Sequence, residues 1–346
     1  MASKYHKYIK RQDIGNDLTE LELSKLEKRI REVYSEASAE IQAELNQYVE
    51  AMKVEERRWL NDLKEKRVTQ EEFDHWKKLQ FTQGQRWIDE KEHIANVLYN
   101  SNVVANAMVN DAMIDIFALN GNYAAYKLEK TAGVNLTFSL YNQTTVKKLL
   151  RDDARILPSK KIKKIKDKRW NFQNIKKEVA KGIIKGESVS KIASRLADEM
   201  PNRNEAMLKT HARTMVTSAQ NQGRMARYHE AQDKGIDLQK EWISTLSART
   251  RYTHAALDGQ VKDIDEPFEI DGFEIMEPGD PSADPSMVYN CRCRMDSVLK
   301  KYPREYRERR DADTGELYSD MTFFEWYESK GGNIEDLKGG KKRKNK

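Results

Sequence analysis

Three side chains in the second half of the chain are of types that bind metal ions. The two cysteines of the chain, Cys291 and Cys293, are separated by one residue, and His254 precedes them. Successive side chains of an extended segment alternate between its faces, so both thiols are expected on one face. Zinc prefers thiolate and imidazole ligands, and Asp258 or Asp280 would supply a fourth ligand. One interpretation is a tetrahedral zinc site that braces a small domain.

A second interpretation of the same residues involves no metal. The C-x-C spacing differs from the C-x-x-C of most zinc knuckles, and the chain has no second cysteine pair. Cysteine is often a small buried residue, and His254 would then be hydrogen-bonded to the backbone or to an acid. This interpretation is favoured. We therefore predict no cofactor, with zinc at His254, Cys291, Cys293 and Asp258 as the alternative.

No complete catalytic set is found in the sequence. A zinc deaminase needs a glutamate two residues after its histidine, where this chain has Ala256. An ADP-ribosyltransferase pattern would combine Arg224, the strand end at Ser244 and two glutamates separated by one residue. Glu274 and Glu277 are three positions apart, so this pattern is broken where the chemistry would occur. We predict that the chain is not an enzyme.

Short elements between Trp242 and Cys293 are predicted to position these side chains. A strand ends near Trp242, and Ser247 is expected to cap a short helix that carries His254 and stops at Gly259. The sequence F-E-I-D-G-F-E-I then predicts a hairpin that turns at its Asp-Gly pair. A last strand follows the cysteines.

Ion pairs are expected to hold this block together, because arginines and acids alternate along it. Such pairs contribute little at the surface and more when enclosed. The arginines are Arg249, Arg251, Arg292 and Arg294, and the expected partners are Asp258, Asp263, Asp271 and Asp280.

The block also resembles a known family. The strings W-I-S-T-L-S-A-R-T-R-Y-T-H-A-A-L-D-G-Q, P-G-D-P-S and N-C-R-C occur in this order. They are similar to the head-morphogenesis domain of tailed phages, the Mu F-like minor capsid proteins, and the similarity reaches back to Ala212. One departure is Ser247, where the family often has an acid. The residues that carry the resemblance are Trp242, Arg249, Arg251, His254, Asp258, Gly259, Asn290, Cys291 and Cys293.

The resemblance implies a structural role in a virion. A protein of this family would be made in the host bacterial cytoplasm, bind the portal, assist procapsid assembly with scaffold or major capsid protein, and lie inside the capsid near the portal vertex. It would contact packaged double-stranded DNA or be ejected with it. The alternatives are a phage-delivered enzyme, of ADP-ribosyltransferase or nuclease type, and a non-specific DNA-binding module.

Composition is consistent with long solvated helices and a modest core. The chain has 346 residues, 34% of them charged, a net charge of +6 and a mean hydropathy of −0.88. The sequence contains no uninterrupted apolar run of the roughly 20 residues that a membrane span needs, and its first residues lack the apolar core of a secretion signal. We expect no membrane partner.

Basic residues are concentrated in two segments. Residues 147–181 contain fourteen Lys and Arg against four acids, and residues 338–346 contain six and no acid. Lysines hold phosphates and aromatic rings stack on bases, so DNA contact is one interpretation; a solvated basic face is the favoured one. The candidate DNA contacts are Lys160, Lys161, Lys163, Lys164, Lys166 and Trp170.

The predicted fold is α+β and predominantly α. From Thr19, apolar residues recur at steps of three and four, and Thr19 with Glu22 indicates a capping box. The predicted organisation is a helical and portal-docking region over 1–146, a basic segment over 147–173, an α+β domain with a short antiparallel sheet over 174–298, and a charged extension with a basic tail over 299–346. An aromatic helix near residues 322–327 is expected to dock on the protein's own surface.

Overall fold

The fold is predominantly helical, with small antiparallel sheets in the second half, which confirms the predicted class. A computed structural model describes residues 13–80, 84–133, 135–156, 167–301, 308–319 and 321–334. The first six helices are α1 Ile14–Lys64, α2 Gln70–Gln80, α3 Gln85–Ala132, α4 Gln143–Asp152, α5 Lys168–Ile184 and α6 Val189–Asp233.

The chain forms two compact units that are not contiguous in sequence. The helical unit comprises Leu26–Met108 and Ile162–Lys209. The sheet unit comprises Met1–Lys25, Val109–Lys161 and Thr210–Lys346. The long helices α1, α3 and α6 each contribute residues to both units, so neither unit corresponds to a single stretch of sequence.

The apolar stripe of α1 is used for packing within the chain. Ile41, Leu45 and Met52 are buried in the core of the helical unit, together with Ile94 of α3 and Ile192 of α6. This packing is what periodic apolar spacing predicts. The stripe is therefore covered by the protein's own helices.

Helix α1 begins before the predicted capping box. Asp13 caps it, since the Asn16 N–H donates to the Asp13 carboxylate at 2.9 Å. The Thr19 hydroxyl donates to the Gly15 carbonyl at 2.7 Å, inside the helix, so the prediction of a start at Thr19 was wrong. The same spacing at Thr69 and Glu72 predicts a second capping box ahead of α2. The structure confirms this one, because the Thr69 hydroxyl accepts a hydrogen bond from the Glu72 N–H at 3.2 Å.

Helix α3 continues through Gly121, although the helical spacing of apolar residues stops there and predicts a break. A Cβ at Gly223 of α6 would lie 2.3 Å from the Phe117 carbonyl oxygen, so the backbones of α3 and α6 approach too closely for any side chain there. Residues 137–141 alternate in a pattern that predicts a strand, but no strand forms there. Instead, the Asn122 side chain bonds both the N–H and the carbonyl of Tyr141, at 2.7 and 3.0 Å.

Helix α6 runs through Pro201, although a proline inside a helical sequence pattern predicts a boundary between two helices. Proline lacks the N–H that would bond the carbonyl four residues earlier, here that of Ala197. The Ser38 hydroxyl of α1 donates to this carbonyl at 2.9 Å. A side chain of another helix thus replaces the missing intrahelical bond, and the helix continues.

The strands form three small antiparallel groups. Strands β1 Leu238–Ile243, β2 Val261–Asp263 and β5 Arg294–Leu299 form a sheet in the order β2-β1-β5. Strands β3 Phe268–Ile270 and β4 Phe273–Ile275 form the predicted hairpin, whose turn has φ of 49° at Asp271 and 82° at Gly272. Strands β6 Glu308–Arg310 and β7 Leu317–Ser319 pair with each other. The remaining helices are α7 Tyr252–Leu257, α8 Pro285–Val288 and α9 Phe323–Ser329.

The aromatic helix α9 docks on the sheet unit as expected. A capping box of Thr322 and Glu325 starts it. Phe323 and Trp326 are buried against Leu246 and Ala255. The aromatic side chains thus complete a core of the sheet unit and are not presented to a partner.

One helical stretch, within Gln70–Ala132, is long and apolar enough by length and composition alone to cross a bilayer. Buried core helices have the same length and composition, so these properties alone do not indicate a membrane span. In α3, Asn102 and Asn120 are buried and hydrogen-bonded to Tyr34 and Thr19 at 2.5 and 2.8 Å.

Candidate metal centre

His254, Cys291 and Cys293 lie together in the sheet unit. Their ligand atoms are all within 4.8 Å of one another, and all three residues are buried. The His254 Nδ1 atom is 3.3 Å from the Cys293 sulfur and 3.5 Å from the Cys291 sulfur. The structure thus brings together the three soft ligands that the sequence suggested.

Helix α7 and the strand β1 fix the histidine. The His254 ring packs edge-on against Trp242, with ring centroids 5.8 Å apart, and the His254 carbonyl accepts a hydrogen bond from Ser244. Gly259 has the left-handed backbone conformation that stops the helix, with φ of 79°. Its N–H donates to the Trp242 carbonyl at 2.9 Å. The expected stop is confirmed.

The start of this helix differs from the prediction. Helix α7 begins at Tyr252, and Arg251 in the capping position makes no side-chain cap. Ser247 does not cap this helix: its hydroxyl donates to Asp313 at 3.0 Å and accepts from the Arg249 N–H at 3.2 Å, before the helix begins. Residues between them form a turn closed by the Thr250 N–H on the Ser247 carbonyl.

Side chains hold the cysteine segment extended just before β5. The Thr217 hydroxyl of α6 donates to the Cys291 carbonyl at 2.6 Å, and the Asn221 amide donates to the Cys293 carbonyl at 3.3 Å. The segment turns at Asn290, with φ of 55°, and the Asn290 N–H donates to Thr214 at 2.9 Å. Both thiols therefore face the same buried region, as the alternation predicted.

Arg251 determines which nitrogen of His254 carries the proton. Its guanidinium lies 2.8 Å from Nε2. Arginine only donates, so Nε2 accepts and the neutral ring carries its proton on Nδ1, facing the two sulfurs. The same guanidinium donates to the Tyr289 carbonyl at 2.8 Å.

The pKa values of the two thiols are shifted in opposite directions. The hydrogen bond with Cys293, together with burial, raises the pKa of Cys291 well above its usual value. Burial opposes ionisation of Cys293, but the hydrogen bonds from Cys291, His254 and Ser244 outweigh it, so the pKa of Cys293 lies well below its usual value. A thiolate is the form that binds metals.

A cavity of about 120 Å³ opens onto the cluster. His254, Cys291 and Cys293 line it, together with the side chains of Arg249 and Arg251. A cavity of this volume can hold a few water molecules.

The carboxylates proposed as a fourth ligand have other partners. The Asp258 carboxylate accepts hydrogen bonds from two guanidinium nitrogens of Arg309, at 2.6 and 2.9 Å. It also accepts hydrogen bonds from the backbone N–H groups of Ser244 and Phe323. Asp280 accepts from the N–H groups of Met276 and Ser282. Asp258 is therefore a structural acid that joins α7, β6 and α9.

Arg249 and Arg294 pair with acids other than those predicted from sequence proximity. Arg294 binds Asp13 at 2.8 Å, and Arg249 lies 3.7 Å from Asp313 at the surface. The expected partners are close in sequence, whereas the pairs in the structure join distant segments. The prediction of ion pairing holds, but these partners were wrong.

The ion pair at Asp13 was missed from the sequence. Asp13 accepts two hydrogen bonds from Arg224, at 2.8 and 2.9 Å, and one from Arg294. Arg224 is almost fully buried and also binds Asn120 and the Met295 carbonyl. Burial alone would raise the pKa of Asp13, but the two guanidinium groups hold it well below its usual range.

The same ion pair engages Arg224, the arginine of the ADP-ribosyltransferase pattern. Arg224 is enclosed by Asp13, and Ser244 is buried beside Trp242. Glu277 is buried, and burial raises its pKa to about 8, whereas Glu274 is exposed on the hairpin. Arg224 is thus already engaged by Asp13, and the two glutamates do not share one environment.

The candidate DNA contacts are only partly described. Lys160, Lys161, Lys163, Lys164 and Lys166 lie outside the residues that the structure describes. Trp170 is half-buried in the first turn of α5, where its N–H donates to Asp167 at 2.9 Å.

Comparison with known proteins identifies a family over the central part of the chain. Residues 173–296 match the family described as Phage Mu protein F like protein. The matched range contains all the residues that carried the resemblance in the sequence. No solved structure matches the chain at a significant level.

Two curated relatives are similar over longer stretches. Minor head protein GP7 of Bacillus phage SPP1 is 28% identical over 225 residues, which is 64% of this chain and 72% of that protein. The NAD(+)–arginine ADP-ribosyltransferase EFV of Enterococcus faecalis is 30% identical over 206 residues, or 58% of this chain. The chain spans only 40% of the length of EFV.

Proposed function

Because this chain belongs to the Mu F-like minor head proteins of phages, with the family's domain at residues 173–296, we propose that it binds the portal ring and assists assembly of the procapsid. The match over this domain is the observation that carries the proposal. The family match and the minor head protein relative favour a structural role over an enzymatic one. In the virion, its proposed place is inside the capsid near the portal vertex.

We assign the portal contact to one end of the helical unit. The main stripe of α1 is already covered, so a partner must use other surfaces. At the end of α1, Val54 is 62% exposed and Leu60 is 38% exposed. Nearby, half-buried Trp59 stacks on Trp76 of α2, with ring centroids 5.3 Å apart. Apolar side chains on an otherwise charged helix favour docking on a protein surface.

The experiment is co-sedimentation with portal rings of the same phage. The wild-type chain is expected to sediment with the rings. The double variant Val54→Glu, Leu60→Glu is expected to remain in the supernatant, because two charges would be buried at the contact. Leu140→Glu is a matched control, since Leu140 is 77% exposed and lies in the sheet unit.

Two outcomes would contradict the proposal. If the wild-type chain stays in the supernatant, portal binding is refuted. If the double variant sediments like the wild type, the contact lies elsewhere than the end of α1. Circular dichroism of each variant checks that the helices are intact.

We also propose non-specific contact with packaged DNA through the basic segment 147–181. Its support is the excess of fourteen basic residues over four acids. Replacing Lys160, Lys161, Lys163 and Lys164 by glutamine should weaken binding equally for unrelated DNA sequences. The plot of the logarithm of the binding constant against the logarithm of the salt concentration should become less steep by roughly 4 × 0.9. Unchanged binding by this variant would refute the assignment.

A further inference from the structure

We propose that His254, Cys291 and Cys293 bind one zinc-class divalent ion, whose fourth ligand comes from the adjoining cavity. The proposal concerns the cluster in the sheet unit and is independent of portal binding. It rests on the geometry of the three ligand atoms, their burial and the cavity beside them.

The spacing of the ligand atoms fits a tetrahedral ion. Zinc lies about 2.3 Å from sulfur and about 2.05 Å from nitrogen, so a tetrahedral angle separates the two ligand atoms by about 3.6 Å. The distances from His254 Nδ1 to the two sulfurs are 3.3 and 3.5 Å. Both nitrogen–sulfur distances are therefore within a few tenths of an ångström of the tetrahedral value, and all three ligand atoms lie within 4.8 Å of one another.

The surroundings also suit a thiolate site. Cys291 and Cys293 are 2% exposed and pack with Trp242, Leu257 and Phe268. The Cys293 N–H donates to the Cys291 sulfur at 3.3 Å. Hydrogen bonds of this kind orient the ligands and reduce the charge on a metal-bound sulfur. A thiol in such a place would otherwise make only weak hydrogen bonds.

The fourth position faces polar groups that are not themselves ligands. Asp258 is held by Arg309, so the protein supplies three ligands among the residues described at the cluster. A zinc site with three protein ligands keeps its last position for water or an anion. Arg249 and Arg251 line the cavity at this position, and their charge favours an anionic ligand such as hydroxide or phosphate.

Arg251 competes with the ion through the histidine. An ion on Nδ1 requires the ring proton to move to Nε2, which then can no longer accept from the guanidinium. Arg251 is exposed and can turn away, so ion binding exchanges this hydrogen bond for the metal–ligand bonds. The variant Arg251→Gln should consequently bind the ion at least as tightly as the wild type, because glutamine offers an acceptor to Nε2–H.

The test is elemental analysis of the full-length chain, purified without a histidine tag and in a phosphine reductant. We expect about one zinc per chain in the wild type and in Arg251→Gln, as for a single tetrahedral site. Cys291→Ser and His254→Gln should lose it, whereas His75→Gln, a change at an exposed histidine of α2, should retain it.

Cobalt substitution gives a readout that does not depend on variant folding. After chelation, Co²⁺ added to the wild-type chain should produce a thiolate-to-cobalt charge-transfer band that saturates at about one equivalent. The proposal is overturned if the wild-type chain contains no stoichiometric metal and Co²⁺ produces no thiolate band. It is also overturned if Cys291→Ser and His254→Gln retain the metal.

Discussion

Asp258 is expected to be the acid on which the sheet unit depends most. The substitution Asp258→Ala removes the carboxylate that accepts both nitrogens of Arg309 and two backbone N–H groups. The side chains of Asp258 and Arg309 are 1% and 8% exposed, so solvent cannot replace the lost partner. Removing one member of a buried pair costs about 3–5 kcal/mol. In a domain of this size that corresponds to roughly 6–20 °C in melting temperature.

Scanning calorimetry and urea denaturation measure this loss. Glu269→Ala is the matched control: Glu269 pairs with Lys262 at 3.1 Å but is 60% exposed, so its loss should cost about 0.2–1 kcal/mol. The double variant Asp258→Ala, Arg309→Met should recover part of the stability, because it removes the charge that the single variant leaves unpaired.

The reasoning is refuted by either of two results. The first is that Asp258→Ala costs no more stability than Glu269→Ala, in which case the buried pair does not determine the stability of the unit. Alternatively, the double variant is no more stable than Asp258→Ala, in which case the unpaired Arg309 is not the cause of the loss.

Two further substitutions test the helix crossing and the network at Asp13. Gly223→Ala should destabilise the protein by about 1–3 kcal/mol, because the new Cβ would lie 2.3 Å from the Phe117 carbonyl oxygen. Helix propensity alone predicts the opposite, a stabilisation of about 1 kcal/mol. The sign of the stability change measured by urea denaturation therefore shows which effect is larger. Asp13→Asn should cost about 3–5 kcal/mol at neutral pH, because Arg224 and Arg294 lose their anion. The folded-state pKa of Asp13 is depressed, so its contribution is present above about pH 4 and is lost as the pH falls through the folded-state value. The unfolding free energy of Asp13→Asn should therefore fall less between pH 4 and acid than that of the wild type; equal slopes would contradict this assignment.

Local signals in the sequence predicted the local structure well. The Asp271–Gly272 pair gave the hairpin, and the box at Thr69 started α2, because both depend on residues within a few positions. The apolar stripe of α1 identified buried residues for a similar reason, since its period is set by the helix itself. The alternation around Cys291 placed both thiols with His254.

Contacts between distant segments account for what the sequence did not predict. Asp13 and Arg294 are 281 positions apart, so no local pattern indicates their pairing. Pro201 normally ends a helix, and only the Ser38 hydroxyl of another helix explains why α6 continues. Asp258 was suggested as a metal ligand, but Arg309, from a segment beyond the recognised block, binds it instead.

The central claim, that this chain is a structural component of a phage head, is tested most directly by counting it in purified heads. Quantitative mass spectrometry of procapsids and filled heads should find the chain at a fixed ratio to the portal protein in procapsids. Deleting it should reduce the yield of portal-containing heads. Absence of the chain from both kinds of particle, with unchanged head assembly after its deletion, would contradict the claim.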